Sequence, residues 1–202
     1  MTLSQQEISN LFKSLKIEVI PSFEGEVPEE VSIRYPSSKR VRDHYTSRLA
    51  LIKALKMPEV QSYSDIEILN HHHLVKFPEL AVSVTHTNSL AGAVVADRSL
   101  IESIGVDLEA VDRDFKPGIL KFFLRPEDEI EAPLQLWCIK EAAFKAISPL
   151  YKEEKQLVLK DIIVKSDGSF HLDSLDTICG YYKLEKVQGH YLALAIIVRT
   201  SL

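Results

Sequence analysis

The chain has 202 residues, of which 46% are hydrophobic, and a formal net charge of −5. That length and apolar content allow one sizeable core or two small ones, while the charge balance, with no long basic block, excludes a broad grip on nucleic acid phosphates. The first twenty residues lack a basic start followed by an apolar run, and the longest apolar stretch, Tyr191 to Val198, is too short for a bilayer. Cys138 and Cys179 have no metal-type spacing, so the expectation is a reduced, cytoplasmic protein with no membrane or nucleic acid partner.

In chain order, Ile8, Leu11, Phe12 and Leu15 follow Ser4 at helical spacing and lead into the strand-like Ile17 to Pro21. Ser37 to Lys56 has a second helical pattern, with the stripe Val41, Tyr45, Leu49, Ile52 and Leu55 beside Lys39, Arg40, Arg42 and Arg48. Ala81 to Thr85 and Leu90 to Ala96 read as short buried strands around the turn His86 to Ser89. Ile104 to Glu109 reads as a strand, Pro117 to Leu124 and Pro133 to Ile147 as helices, the second closed by Ser148-Pro149. Val158 to Lys165, Ser169 to Leu172, Thr177 to Val187 and His190 to Arg199 read as antiparallel strands joined by Asp167-Gly168 and Gln188-Gly189 turns. The pattern predicts an α+β protein of two similar lobes, residues 1–100 and 101–202. His71-His72-His73 invites a metal reading, but neighbouring residues diverge in a strand and no fourth ligand follows, so a polar loop is expected.

In the strand Gly105-Val106-Asp107-Leu108-Glu109, the two-residue period puts both carboxylates on one face. Like charges side by side are tolerated in open solvent or around a hard cation such as Mg²⁺ or Mn²⁺. In the helix from Trp137 to Lys145, positions 137, 141 and 145 share one helical column, aligning an indole, a carboxylate and an ammonium. Glu141 can offer a third oxygen to such a cation, and Lys145 or Lys140 can reach a phosphate. The same residues also read as a wet strand edge and a solvated ion pair, and spacing alone leaves both readings open.

GVDLE at 105–109 followed by WCIKEAAFKA at 137–146 resembles the paired signature of the 4′-phosphopantetheinyl transferase superfamily. Val84-Thr85-His86-Thr87 is similar to its Ile-Ser-His-Ser turn, the Phe122 to Glu127 segment to its Phe-Phe-x-x-x-Glu, and Tyr181 to Val198 to its closing hairpin. The length fits the longer, pseudodimeric Sfp-type class, in which a monomer supplies two lobes, each an antiparallel sheet packed with a long helix, that clamp coenzyme A. The resemblance implies transfer of the 4′-phosphopantetheine arm from coenzyme A to a serine of an acyl or peptidyl carrier protein, releasing adenosine 3′,5′-bisphosphate. It makes Asp107, Glu109 and Glu141 the Mg²⁺ ligands and puts Lys145 on a phosphate oxygen. Glu141 and Glu127 are its candidate bases, Glu141 being favoured because it can be both ligand and proton acceptor.

By the same resemblance His86, next to Thr85, meets a coenzyme A phosphate, and Lys39, Arg40 and Arg48 hold the 3′-phosphate. Thr85 stands where serine is usual and Asn88 where glycine is usual. The family's Gly-Lys/Arg-Pro stretch is not evident, which leaves Lys76 in Val75-Lys76-Phe77-Pro78 as the residue offered for its contact. The rival functions are a non-catalytic coenzyme A-binding module of the same fold and a metal-dependent nuclease. Retention of the carboxylates and lysines argues against the first, and the acidic balance against the second.

Overall fold

The computed structural model describes residues 3–33, 35, 37–69, 72–173 and 175–199; His71 of the histidine run lies outside them. Ser4 opens α1 (Gln5–Ser14) with a capping box, its amide donating to Glu7 at 2.8 Å. β1 (Lys16–Pro21) follows, then the single turn α2 (Glu29–Ser32) and the long α3 (Ser38–Leu55), capped by Ser37 and ended by Lys56 in the left-handed region at φ 53°. Two-residue strands β2 (Ile68–Leu69) and β3 (His73–Leu74) lead to β4 (Leu80–His86) and β5 (Leu90–Asp97). The second half runs β6 (Ile101–Ala110), α4 (Pro117–Leu120), α5 (Pro133–Ile147), β7 (Ile162–Val164), β8 (Ser169–Leu172), β9 (Leu175–Val187) and β10 (His190–Val198).

Two expectations shrink. The helix predicted from Pro117 to Leu124 is one turn, because Phe123 is drawn into the core and Asp128 recaptures the chain through the Arg125 amide at 3.0 Å. The strand predicted from Val158 begins as a 3-10 turn at Leu159–Asp161, where the Asp161 carboxylate accepts from the Val158 amide. The sequence reading also passed over α2, β2 and β3, which are too short for any period to register.

Both sheets are antiparallel, in the orders β1-β5-β4-β3-β2 and β6-β10-β9-β8-β7. Each half therefore repeats one plan: a strand, a long helix and four strands, the last returning beside the first. Period-two burial assigns the faces. Ala193, Ala195 and Ile197 of β10 pack on α5, while Leu192, Leu194 and Ile196 meet Val94, Val106, Leu108 and α1 in a central core. Ala91, Ala93 and Val95 of β5 pack on α3. The layers thus stack as α3, first sheet, second sheet, α5. Among the described residues no helix is long and apolar enough to cross a membrane.

Candidate functional site

β6 and α5 meet closely because Gly105 has no side chain: a Cβ there would lie 1.9 Å from the Ala142 carbonyl oxygen. Two residues on, Asp107 faces the same helix and is only 6% exposed. Its Oδ1 accepts from Lys145 Nζ at 2.8 Å and from Thr85 Oγ1 at 3.2 Å, and Lys145 also donates to the Val106 carbonyl at 2.8 Å. The other oxygen, Oδ2, is buried with no partner. Glu109, on the same face, accepts from Trp137 Nε1 at 2.8 Å and pairs with Arg113. Burial, and next the negative charge of Asp107, push the Glu141 carboxyl above its ordinary value, with Glu109 adding and Lys145 opposing. The three carboxylates and Lys145 therefore feel one another. Behind them the Cys138 thiol is buried against the Asp107 carbonyl and pushed up by that burial, an inert packing thiol.

Among the described residues no three His, Cys, Asp or Glu side chains are already gathered as ligands on one point. Lys145 sits on Asp107 and Arg113 on Glu109 instead. The residues nonetheless fit a hard divalent cation: the donors are carboxylates, one buried oxygen has no partner, and positive charge relieves the repulsion that raises Glu141.

Glu141 lines a cavity of about 410 Å³ with Phe122, Trp137, Phe144, Val158 and Leu159, and Lys121 and Lys160 complete the lining. A second cavity, of about 690 Å³, holds Arg48 among Tyr35, His44 and Tyr63, with the Tyr35 and His44 rings 4.7 Å apart. Burial lowers the Arg48 pKa, so this cation is short of solvation and suited to an anion. His86, at the end of β4, lies 3.9 Å from Asp43, which also pairs with Lys39 at 2.8 Å; Arg40 is exposed in the first turn of α3. Lys39 and His86 are thus brought together through Asp43.

Other expected residues stand elsewhere. Lys140 is a correction: it is 0% exposed, donating to the Phe123 carbonyl and to Asp128, and so cannot face a phosphate. Thr85 is spent on Asp107 rather than open to a ligand. Glu127 pairs with Arg125, whose hydrogen bonds hold its carboxyl below the usual range, and is not among the charges that act on Glu141. Lys76 is 3.8 Å from Asp65. Since His73 pairs with Ala81, the chain beyond β3 runs to the Leu80 end of β4, opposite His86.

The sequence reading missed His190. Its Nδ1 donates to the Gln188 carbonyl at 3.0 Å, which leaves Nε2 to accept from the hydroxyls of Thr87 at 3.3 Å or Ser89 at 3.2 Å. It thereby ties the β9–β10 turn to the turn that follows His86. The reading also missed an internal repeat. Tyr45 to Leu55 in α3 and Trp137 to Ile147 in α5 share an aromatic, then a cation, Ala, Lys-Ala and an aliphatic at the same spacings. Ile20 pairs with Ala91 as Asp107 pairs with Ala193, the first alanine of each strand that faces its helix. At the places of Asp107, Glu141 and Lys145 the first half thus has Ile20, Leu49 and Lys53. With aliphatic residues in place of Asp107 and Glu141, it lacks the cation set.

Residues 103–196 match a family model described as the 4′-phosphopantetheinyl transferase superfamily. The match covers β6 through most of β10 and leaves Lys39, Arg40, Arg48, Lys76, Thr85 and His86 outside. No curated protein matches the chain.

Proposed function

We propose that the chain, whose residues 103–196 match the 4′-phosphopantetheinyl transferase superfamily, belongs to it and moves the 4′-phosphopantetheine arm of coenzyme A onto a serine of an acyl or peptidyl carrier protein, acting as a monomer in the cytoplasm. The observation that carries this reading is the set of Asp107, Glu109 and Glu141, with the first two acting on the third, Lys145 on Asp107, and one buried carboxylate oxygen left without a partner. The repeated strand order supports a pseudodimer with its boundary near residue 100.

Asp107, Glu109 and Glu141 would hold Mg²⁺, or Mn²⁺ in its place, which would supply charge compensation to the pyrophosphate. Glu141 takes the proton of the carrier serine as its hydroxyl oxygen attacks the phosphorus next to the pantetheine. The phosphorus–oxygen bond to the nucleotide breaks, and adenosine 3′,5′-bisphosphate leaves with the bonding pair. Lys145, which pairs with Asp107, leaves it to donate to a phosphate oxygen. Glu127, held by Arg125, is the weaker base candidate. The arm, whose dimethyl and methylene groups alternate with two amides, suits the cavity of Phe122, Trp137 and Phe144, and the phosphorylated adenosine suits the Arg48 cavity, with Lys39, Arg40 and His86 as further phosphate contacts. Lys76, at the far end of β4, is left to a contact outside this path.

The test is to incubate the protein with coenzyme A, Mg²⁺ and several apo carrier proteins and to read intact mass. A gain of one phosphopantetheine on the carrier serine is expected. No gain on any carrier overturns the transferase reading.

A further inference from the structure

Lys140 is completely buried, and its ammonium meets the Phe123 carbonyl and Asp128 Oδ2, each at 2.7 Å. Asp128 is itself 3% exposed, and its carboxylate also accepts from the amides of Arg125 at 3.0 Å and Val164 at 3.1 Å. One buried ion pair therefore fastens three pieces together: α5, the turn from Phe123 to Asp128, and β7. Desolvation cancels much of the attraction in such a pair, so stability alone is a weak account of it. Its firm effect is on position. The pair fixes the backbone at Phe123, and the residue before it, Phe122, is 62% exposed and forms a wall of the cavity that Glu141 lines. Lys140 and Glu141 are adjacent on α5, so one helical turn both offers Glu141 to the cavity and sets the wall beside it.

We infer that Lys140, through Asp128, is a positioning residue that holds the Phe122 wall where it grips the pantetheine arm of coenzyme A. The inference rests on the coenzyme A reading above.

Calorimetric titration with coenzyme A and with adenosine 3′,5′-bisphosphate tests both, because the bisphosphate lacks the arm. The double variant Asp128→Asn/Lys140→Met removes both charges, leaves no buried ion unpaired and keeps side-chain volume. Phe122→Ala alters an exposed side chain, so it leaves the core intact. Wild type is expected to bind coenzyme A more tightly than the bisphosphate. Both variants are expected to bind the bisphosphate as wild type does and to lose about tenfold in preference for coenzyme A. A wild type that binds neither ligand overturns the coenzyme A reading itself. A wild type that binds both without preference, or either variant with wild-type preference, overturns the role of Lys140 and leaves that reading standing.

Discussion

Asp107 holds an ammonium on one oxygen and nothing on the other, and this asymmetry is the sharpest chemical signal in the molecule. Its partner Lys145 is partly exposed, so the pair is an exchangeable contact rather than a sealed one. Glu129 behaves differently. Hydrogen bonds from the Ser166 amide at 3.0 Å and hydroxyl at 2.7 Å, joined by Lys165, hold its carboxyl at about 2 instead of 4.5. A carboxylate depressed on folding adds stability that is present above pH 4.5 and is lost as pH falls toward 2. Glu129→Gln should therefore lower the unfolding midpoint at pH 7, with the gap from wild type closing between pH 4.5 and 2. A gap independent of pH would count against the charge. At this scale the shared face of Asp107 and Glu109 was legible because a strand has period two. The burial of Lys140 was not, because its partner Asp128 is brought in by a turn that no period encodes.

The β6–α5 pair is what turns two short motifs into one site. Gly105 is the element-scale requirement, since any side chain there meets the Ala142 carbonyl and the Ala146 amide of α5. Gly105→Ala should cost about 1–3 kcal/mol of stability by forcing strand and helix apart. Urea unfolding measures it, and an unchanged midpoint would mean that the contact is looser than described. Long elements were readable from sequence: α3, α5 and the strands around residues 81–96 and 169–198 fall where their patterns put them. The region between Glu109 and Pro133 was read less well, because side-chain capture by Asp128 and core insertion of Phe123 override helical spacing there.

For the whole molecule, two halves of one topology stack around a shared central core, yet their chemistry differs. The repeat between α3 and α5 is faint in sequence because it survives mainly as side-chain class at fixed spacings, whereas the sheet registers align Ile20 with Asp107 through the helix-facing Ala91 and Ala193. Glu18, the carboxylate of β1, has a cation neighbour, Lys56 at 3.6 Å on the surface, while Ile20 and Leu49 stand where the second half has Asp107 and Glu141. A surface pair of this kind contributes little to stability. The most direct measurement compares the halves: transfer of phosphopantetheine from coenzyme A to an apo carrier, followed by intact mass, in wild type, Glu18→Gln and Glu141→Gln. Transfer is expected at the wild-type rate in Glu18→Gln, with a loss of about a hundredfold or more in Glu141→Gln. Wild-type transfer surviving in Glu141→Gln, or lost in Glu18→Gln, would contradict the role of Glu141 as base and ligand.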